Sequence, residues 1–239
     1  MAGRIAACLG EHSDLRLEHG ALIFPMPVEC YDQMMDGKSL PRGACYNGLR
    51  GAMEVDPVPN GRYHDPRATT VFNLLQGLRR ASGARAYVGA TAPLEGTASD
   101  RRHPDAQLFV SPAKLAALRT ASRPAPIPDL VVEIDTTPLS RERERVRLAA
   151  YGRLGVPEVW VWRRTGGTEA EPKGRATLLV AVADGYESVE TSMIVPGLAP
   201  LDLEELLRDP DDLARDEQSE LLAQRLAPAF ARRWAATPT

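Results

Sequence analysis

The sequence predicts a mixed α/β fold with one globular core and appendages at its ends. Helical and strand periodicities alternate along the chain, and the most apolar short runs read as buried strands. No Gly/Ser-rich or polar low-complexity linker divides the 239 residues, which suffice for a substantial core. The expected organisation is an N-terminal extension over residues 1–45, a core over 46–200, and a helical appendage over 201–239 packed on that core.

Taken in order, "ALIFPMPV" offers short strands, and "VECYDQMM" a short helix stopped by Gly37. "GAMEV" reads as a strand or hairpin arm closed by the turn-rich "DPVPNG". "HDPRATTVFNLLQGLRRASG" places Val71, Leu74, Leu75 and Leu78 at helical spacing and ends at Gly83. "ARAYVGATA" and "DAQLFV" follow as strands, and the Pro-rich "SRPAPIP" leads to "PDLVVEID", the most strongly apolar strand. The next helix is bounded by Ser140 as N-cap and Gly155 as stop. "EVWVWRR" is a Val/Trp strand, "ATLLVAVADGYESVET" carries the Asp184-Gly185 hairpin signal, and the tail is helical with a break at Pro210.

Composition narrows the function. With 29 basic against 32 acidic residues, the whole-molecule field does not draw in nucleic acid, so any such contact needs a local patch. Cys8, Cys30 and Cys45 are odd in number and lack C-x-x-C spacing; they point to neither a disulfide framework nor a zinc ribbon, and a reducing cytoplasm fits. The spacing of Cys8, His12, His19 and Cys30 matches no common metal site. No run approaches a membrane span. Aromatic residues are 5% of the chain, too few to line a sugar cleft, which argues against a two-carboxylate glycosidase.

Candidate chemistry centres on residues 128–135. Side chains alternate across a strand, so Val131, Glu133 and Asp135 share one face, and Leu130, Val132 and Ile134 the other. If the strand ended at Ile134, Glu133 and Asp135 would reach a solvated rim. If both faces are buried, Glu133 must be neutralised, paired or metal-bound. Asp105 opens its own strand far enough upstream for the two strands to lie side by side and their carboxylates to converge. Oxygen-only clusters of this kind suit hard cations such as Mg2+. On the following helix, Arg143, Val146, Arg147, Ala150, Tyr151 and Leu154 fall on one face, while Arg145 belongs to a solvated one.

The combination "PDLVVEIDTT", a basic helix reaching Tyr151, then "GVPEVWVW" resembles a family of bacterial restriction-endonuclease-like proteins within the PD-(D/E)XK nuclease superfamily. The resemblance is strongest from Asp105 to Trp162. It extends back through "GAMEV...YHD", similar to the family's G-x-x-E segment and histidine-acid pair, and loosely over the C-terminal helices. It implies a central mixed sheet flanked by helices, and a metal-dependent nuclease using Mg2+ or Mn2+ on nucleic acid, with DNA as the expected substrate. Asp105, Glu133 and Glu54 would be the metal-binding acids and Arg147 the basic helix residue, where many relatives carry Lys. In the wider superfamily the basic residue often stands two after the glutamate, here Asp135, which is then either a further acid near the metal or a cap to the next turn. Double-strand cleavage by such a one-site fold favours a homodimer.

Two further features are weighed on sequence. His64 either makes a local hydrogen bond at the helix start, the preferred reading, or lies at the site's rim near Glu54. Trp160 and Trp162 share one strand parity and read as core; Arg79, Arg80, Arg101 and Arg102 are candidate DNA-backbone contacts.

Overall fold

The computed structural model describes residues 16–18, 21–37, 40, 44–55, 61–90, 93–95, 100–120, 125–137, 139–168, 172–208 and 211–235. The expected "DPVPNG" turn, the break at Pro210, and Cys8, His12 and His19 fall wholly or mainly outside these residues. No described helix is long and apolar enough to cross a membrane.

Among the described residues, twelve strands form two six-stranded sheets. The first comprises β1 (Arg16–Glu18), β2 (Ala21–Pro25), β3 (Ala44–Asn47), β4 (Ala52–Val55), β6 (Leu94–Glu95) and β7 (Arg101–Arg102), in the order β1-β2-β4-β3-β7-β6. Helix α1 (Val28–Asp36) joins β2 to β3 and stops at Gly37. The second sheet comprises β5 (Tyr87–Ala90), β8 (Ala106–Phe109), β9 (Leu130–Asp135), β10 (Glu158–Gly167), β11 (Pro172–Val182) and β12 (Gly185–Val189), in the order β12-β11-β10-β9-β8-β5. Its pairs are antiparallel except β9 with β10. Parallel neighbours need a crossover, and helix α4 (Arg141–Leu154) supplies it.

Both faces of the second sheet are covered. Leu130, Val132 and Ile134 pack with Trp160 and Trp162 beneath α2 (Gly61–Ser82), α5 (Pro200–Arg208) and α6 (Asp212–Trp234), where both indoles are core as expected. Val131 packs on the opposite face with Tyr151 and Leu154 of α4. The carboxylate-bearing strand is therefore buried on two sides, and the solvated-rim alternative is set aside.

Sequence signals fix the ends of α4 as expected. The Arg143 amide donates to Ser140 Oγ at 3.2 Å, and Gly155 takes the left-handed conformation (φ 79°) that lets Val156 N close on Tyr151 O at 3.1 Å. The β11–β12 hairpin turns at Gly185.

Helix α3 (Pro112–Arg119) was not anticipated. It buries no residue, so it carries no apolar stripe, and its signature is confined to Ser111 at the N-cap followed by Pro112. Helix α6 continues through Pro228. Cys45 is a buried thiol outside any disulfide, whereas Cys30 is disulfide-bonded, a pairing that the cysteine count did not suggest.

Gly174 faces Arg164 across the β10–β11 pair, and a methyl group there would overlap the Trp162 indole. Gly174→Ala is expected to destabilise the fold by about 1–3 kcal/mol through overpacking, read as a lower urea midpoint.

Candidate active site

The site is set by the register of β8 against β9. Ala106 pairs with Val132, which brings Asp105 beside Glu133. Asp105 N donates to Val132 O at 3.0 Å, and Ile134 N returns a 2.7 Å hydrogen bond to Asp105 Oδ2. The backbone of the glutamate-bearing strand thus aims the aspartate.

Glu133 is nearly buried, with 13% of its side chain exposed. Its Oε1 accepts a short hydrogen bond from the Tyr151 hydroxyl, and its Oε2 lies 3.6 Å from Arg147 Nη1. Burial is the main force on its titration and disfavours the carboxylate. Arg147 opposes that, the charges of Asp105 and Asp135 reinforce it, and the Tyr151 hydrogen bond lowers it; the balance pushes Glu133 up to about 7.

Arg147 makes its close contacts elsewhere. Nη1 and Nη2 donate to the two oxygens of Asp135 at 2.7 and 2.6 Å, a bidentate fork. Arg163 Nη2 reaches Glu144 at 2.5 Å and its Nε lies 3.9 Å from Asp135, so Asp135 is flanked by two arginines. Asp135 thus holds Arg147 through both of its carboxylate oxygens. Arg145 is exposed and pairs with Glu142, as expected.

Glu54 lies on β4 in the first sheet and is fully buried. Its Oε1 accepts from Asn47 Nδ2 and its Oε2 from Arg143 Nη1, each at 2.9 Å, with Arg50 and Arg102 at 3.8 and 3.9 Å. Glu54 therefore meets the basic helix one turn before Arg147. His64 does more than the local bond preferred on sequence. Its Nδ1 lies 3.1 Å from Asp65, and its Nε2 lies 3.1 Å from Asp105 Oδ1. Burial disfavours the imidazolium, but hydrogen bonds and charges from the two aspartates outweigh it and raise His64 to about 9. Among the backbone-contact candidates, Arg101 donates to Asp32 and Arg102 to Cys45 Sγ, while Arg79 and Arg80 are exposed.

Asp105 and Glu133 fit a hard divalent cation in donor type and in mutual repulsion, which a cation would relieve. Among the described residues no group of three or more His, Cys, Asp or Glu is arranged to hold a metal.

The family model that matches residues 33–211 is Uma2, described as "Putative restriction endonuclease". The chain belongs to the Uma2 family. Its fold is also similar to the crystal structure of a "putative nuclease belonging to DUF820" from Anabaena variabilis ATCC 29413, at 13% identity, with a TM-score of 0.52 over 77% of this chain and 99% of that one. That likeness bears out the expected core, a mixed sheet flanked by helices with a C-terminal helix. No curated protein matches the chain.

In this Uma2 chain, two site contributors carry no assigned role on sequence. Tyr151 was noted for its place in the pattern, although its position one turn beyond Arg147 on the packed face was the signal of its role. Asp129 stood in the "PD" pair without a function. Its carboxylate accepts from Val110 N, Ser111 N and Ser111 Oγ at 2.8, 2.9 and 2.6 Å and pairs with Lys114 at 2.8 Å. It thereby locks the end of β8 and the start of α3 to the start of β9.

Burial disfavours the Asp129 carboxylate, but Lys114, Ser111 and Val110 overcome that and hold it below the ordinary aspartate range. Its stabilising effect is present above the unfolded aspartate pKa and is lost as pH falls through the depressed folded value. Asp129→Asn should cost about 1–3 kcal/mol at neutral pH, and its urea midpoint should converge on that of wild type in acid.

Proposed function

We propose that this Uma2 chain is a divalent-metal-dependent endonuclease that hydrolyses phosphodiester bonds in DNA. The observation that carries the reading is the pair of nearly buried carboxylates, Asp105 and Glu133, side by side on adjacent strands within reach of an arginine. Asp105 and Glu133 would hold the cation, Mg2+ or Mn2+. A metal so held supplies Lewis-acid charge and a water of lowered pKa.

The chain's own groups do the rest. The Ile134 amide and His64 orient Asp105, and the Tyr151 hydroxyl holds Glu133. Arg147 offsets charge on a phosphate oxygen while Asp135 fixes its plane. Guanidinium keeps its proton in proteins, so Arg147 is not a general base. Glu54 contributes by anchoring α4 through Arg143, a different part from the third metal ligand expected of it. A homodimer would present two sites to opposite strands, and a cytoplasmic setting is the companion expectation.

A second reading, a non-catalytic nuclease-fold protein that binds nucleic acid or a protein partner, has one specific support: Arg147 is fully forked onto Asp135, as it would be if the acids served as ion-pair partners. Incubation of purified protein with supercoiled plasmid in Mg2+, Mn2+ and EDTA separates the two. Metal-dependent nicking is expected, falling by about two to three orders of magnitude in Asp105→Ala and Glu133→Ala, the scale of losing one preorganised electrostatic group. Arg145→Ala, on the exposed face, should nick as wild type does. Plasmid left intact by folded wild-type protein in both metals would transfer the assignment to the binding reading.

A further inference from the structure

The partners of Glu133 differ in kind, and the difference has a chemical meaning. Tyr151 is fully buried, and its ring packs among Val131, Leu154 and Val159 beneath the second sheet. Core packing would be served equally by Phe. The hydroxyl is the exception to that apolar setting, and it is directed to Glu133 Oε1. A phenol hydroxyl is an uncharged donor, unlike the guanidinium nearby.

Arg147 is the other group near Glu133, and it is held off. Its fork is closed on Asp135, leaving Nη1 at 3.6 Å from Glu133 Oε2, beyond hydrogen-bonding distance. A cationic partner would both orient and neutralise the glutamate. A phenol orients it without bringing an opposing charge of its own, and it engages Oε1 alone. Carboxylates that ligate metals are in turn hydrogen-bonded by outer partners that fix their orientation.

We infer that Tyr151 is a positioning residue for Glu133: its hydroxyl aims the carboxylate without cancelling its charge, so that Glu133 stays competent to bind a divalent cation. This inference rests on the Asp105–Glu133 reading above. Tyr186 provides an internal control, because its hydroxyl donates to the Val156 carbonyl at 2.6 Å and its ring packs on the same cluster, and it makes a backbone bond instead of a carboxylate bond.

Mn2+ binding to the full chain, measured by calorimetry, tests the idea without relying on turnover. Tyr151→Phe is expected to weaken Mn2+ affinity by about 10- to 100-fold, the usual loss for an outer-shell partner. Tyr186→Phe should lose stability but keep wild-type affinity. Affinity unchanged in a folded Tyr151→Phe, with wild type binding Mn2+, overturns the inference and leaves the Asp105–Glu133 reading standing. Wild-type protein that binds no Mn2+ overturns both. Should Tyr151→Phe fail to fold, titration of wild type gives the answer: Mn2+ should perturb the tyrosine ultraviolet difference spectrum, and binding without that perturbation counts against Tyr151.

Discussion

A carboxylate in the middle of a strand buried on both faces is the constraint around which this molecule is arranged. Water reaches little of Glu133, so its charge depends largely on what neighbouring elements bring to it. Two elements converge there: the start of β8 brings Asp105, whose repulsion raises the cost of ionisation, while α4 brings Tyr151 and Arg147, which lower it. The result is a carboxyl group that titrates near neutrality. Such displacement is common at functional sites, although structural ion-pair networks also produce it. Here the additional fact is that the cation within reach, Arg147, is bound more closely to Asp135 than to Glu133.

Helix α4 acts as a lever with contacts at intervals of one turn. Arg143, Arg147 and Tyr151 are spaced four residues apart and therefore line one face. Arg143 meets Glu54 of the first sheet, Arg147 meets Asp135, and Tyr151 meets Glu133 of the second. The helix packs Ala150 and Leu154 into the core at its C-terminal end and is seated by polar contacts at three heights. Both its ends are fixed by side-chain and glycine caps, which limits axial sliding. Since a shift of one residue would swing each contact by about 100° around the axis, the three pairings specify a single register.

Much of this was legible in the sequence. The period-two pattern of "LVVEID" identified β9 and its faces, and the helical spacing after Ser140 put Arg147 on the packed side. The capping signals gave the bounds of α4 because local chemistry decides them. What escaped followed from contacts distant in sequence. The pairing of Glu54 with Arg143 joins the first sheet to α4, and no local pattern reports it. Asp135 could be called an acid or a cap because the decision lay with the Arg147 side chain, across the crossover. Helix α3 lacks buried residues and so lacks the periodicity by which helices are recognised. His64 was assigned a local bond because Asp65 is adjacent, whereas its bond to Asp105 depends on how α2 lies across β8.

The departure of this chain from the commoner pattern now has a physical form. In the wider nuclease superfamily that the sequence resembles, a basic residue often follows the metal-binding glutamate by two positions on the strand. Here that position is Asp135, and the basic group comes from the helix as an arginine. The two changes compensate each other. Asp135 supplies a planar acceptor matched to the guanidinium fork, which a lysine ammonium would engage as a point charge without fixed orientation. An arginine without Asp135 would be free to close on Glu133 and occupy it. With Asp135 in place the guanidinium keeps a defined plane beside the glutamate, and Tyr151 takes over the orienting hydrogen bond. Arginine at 147, aspartate at 135 and tyrosine at 151 thus meet around one carboxylate, the first held by the second and the third bonded to Glu133 itself.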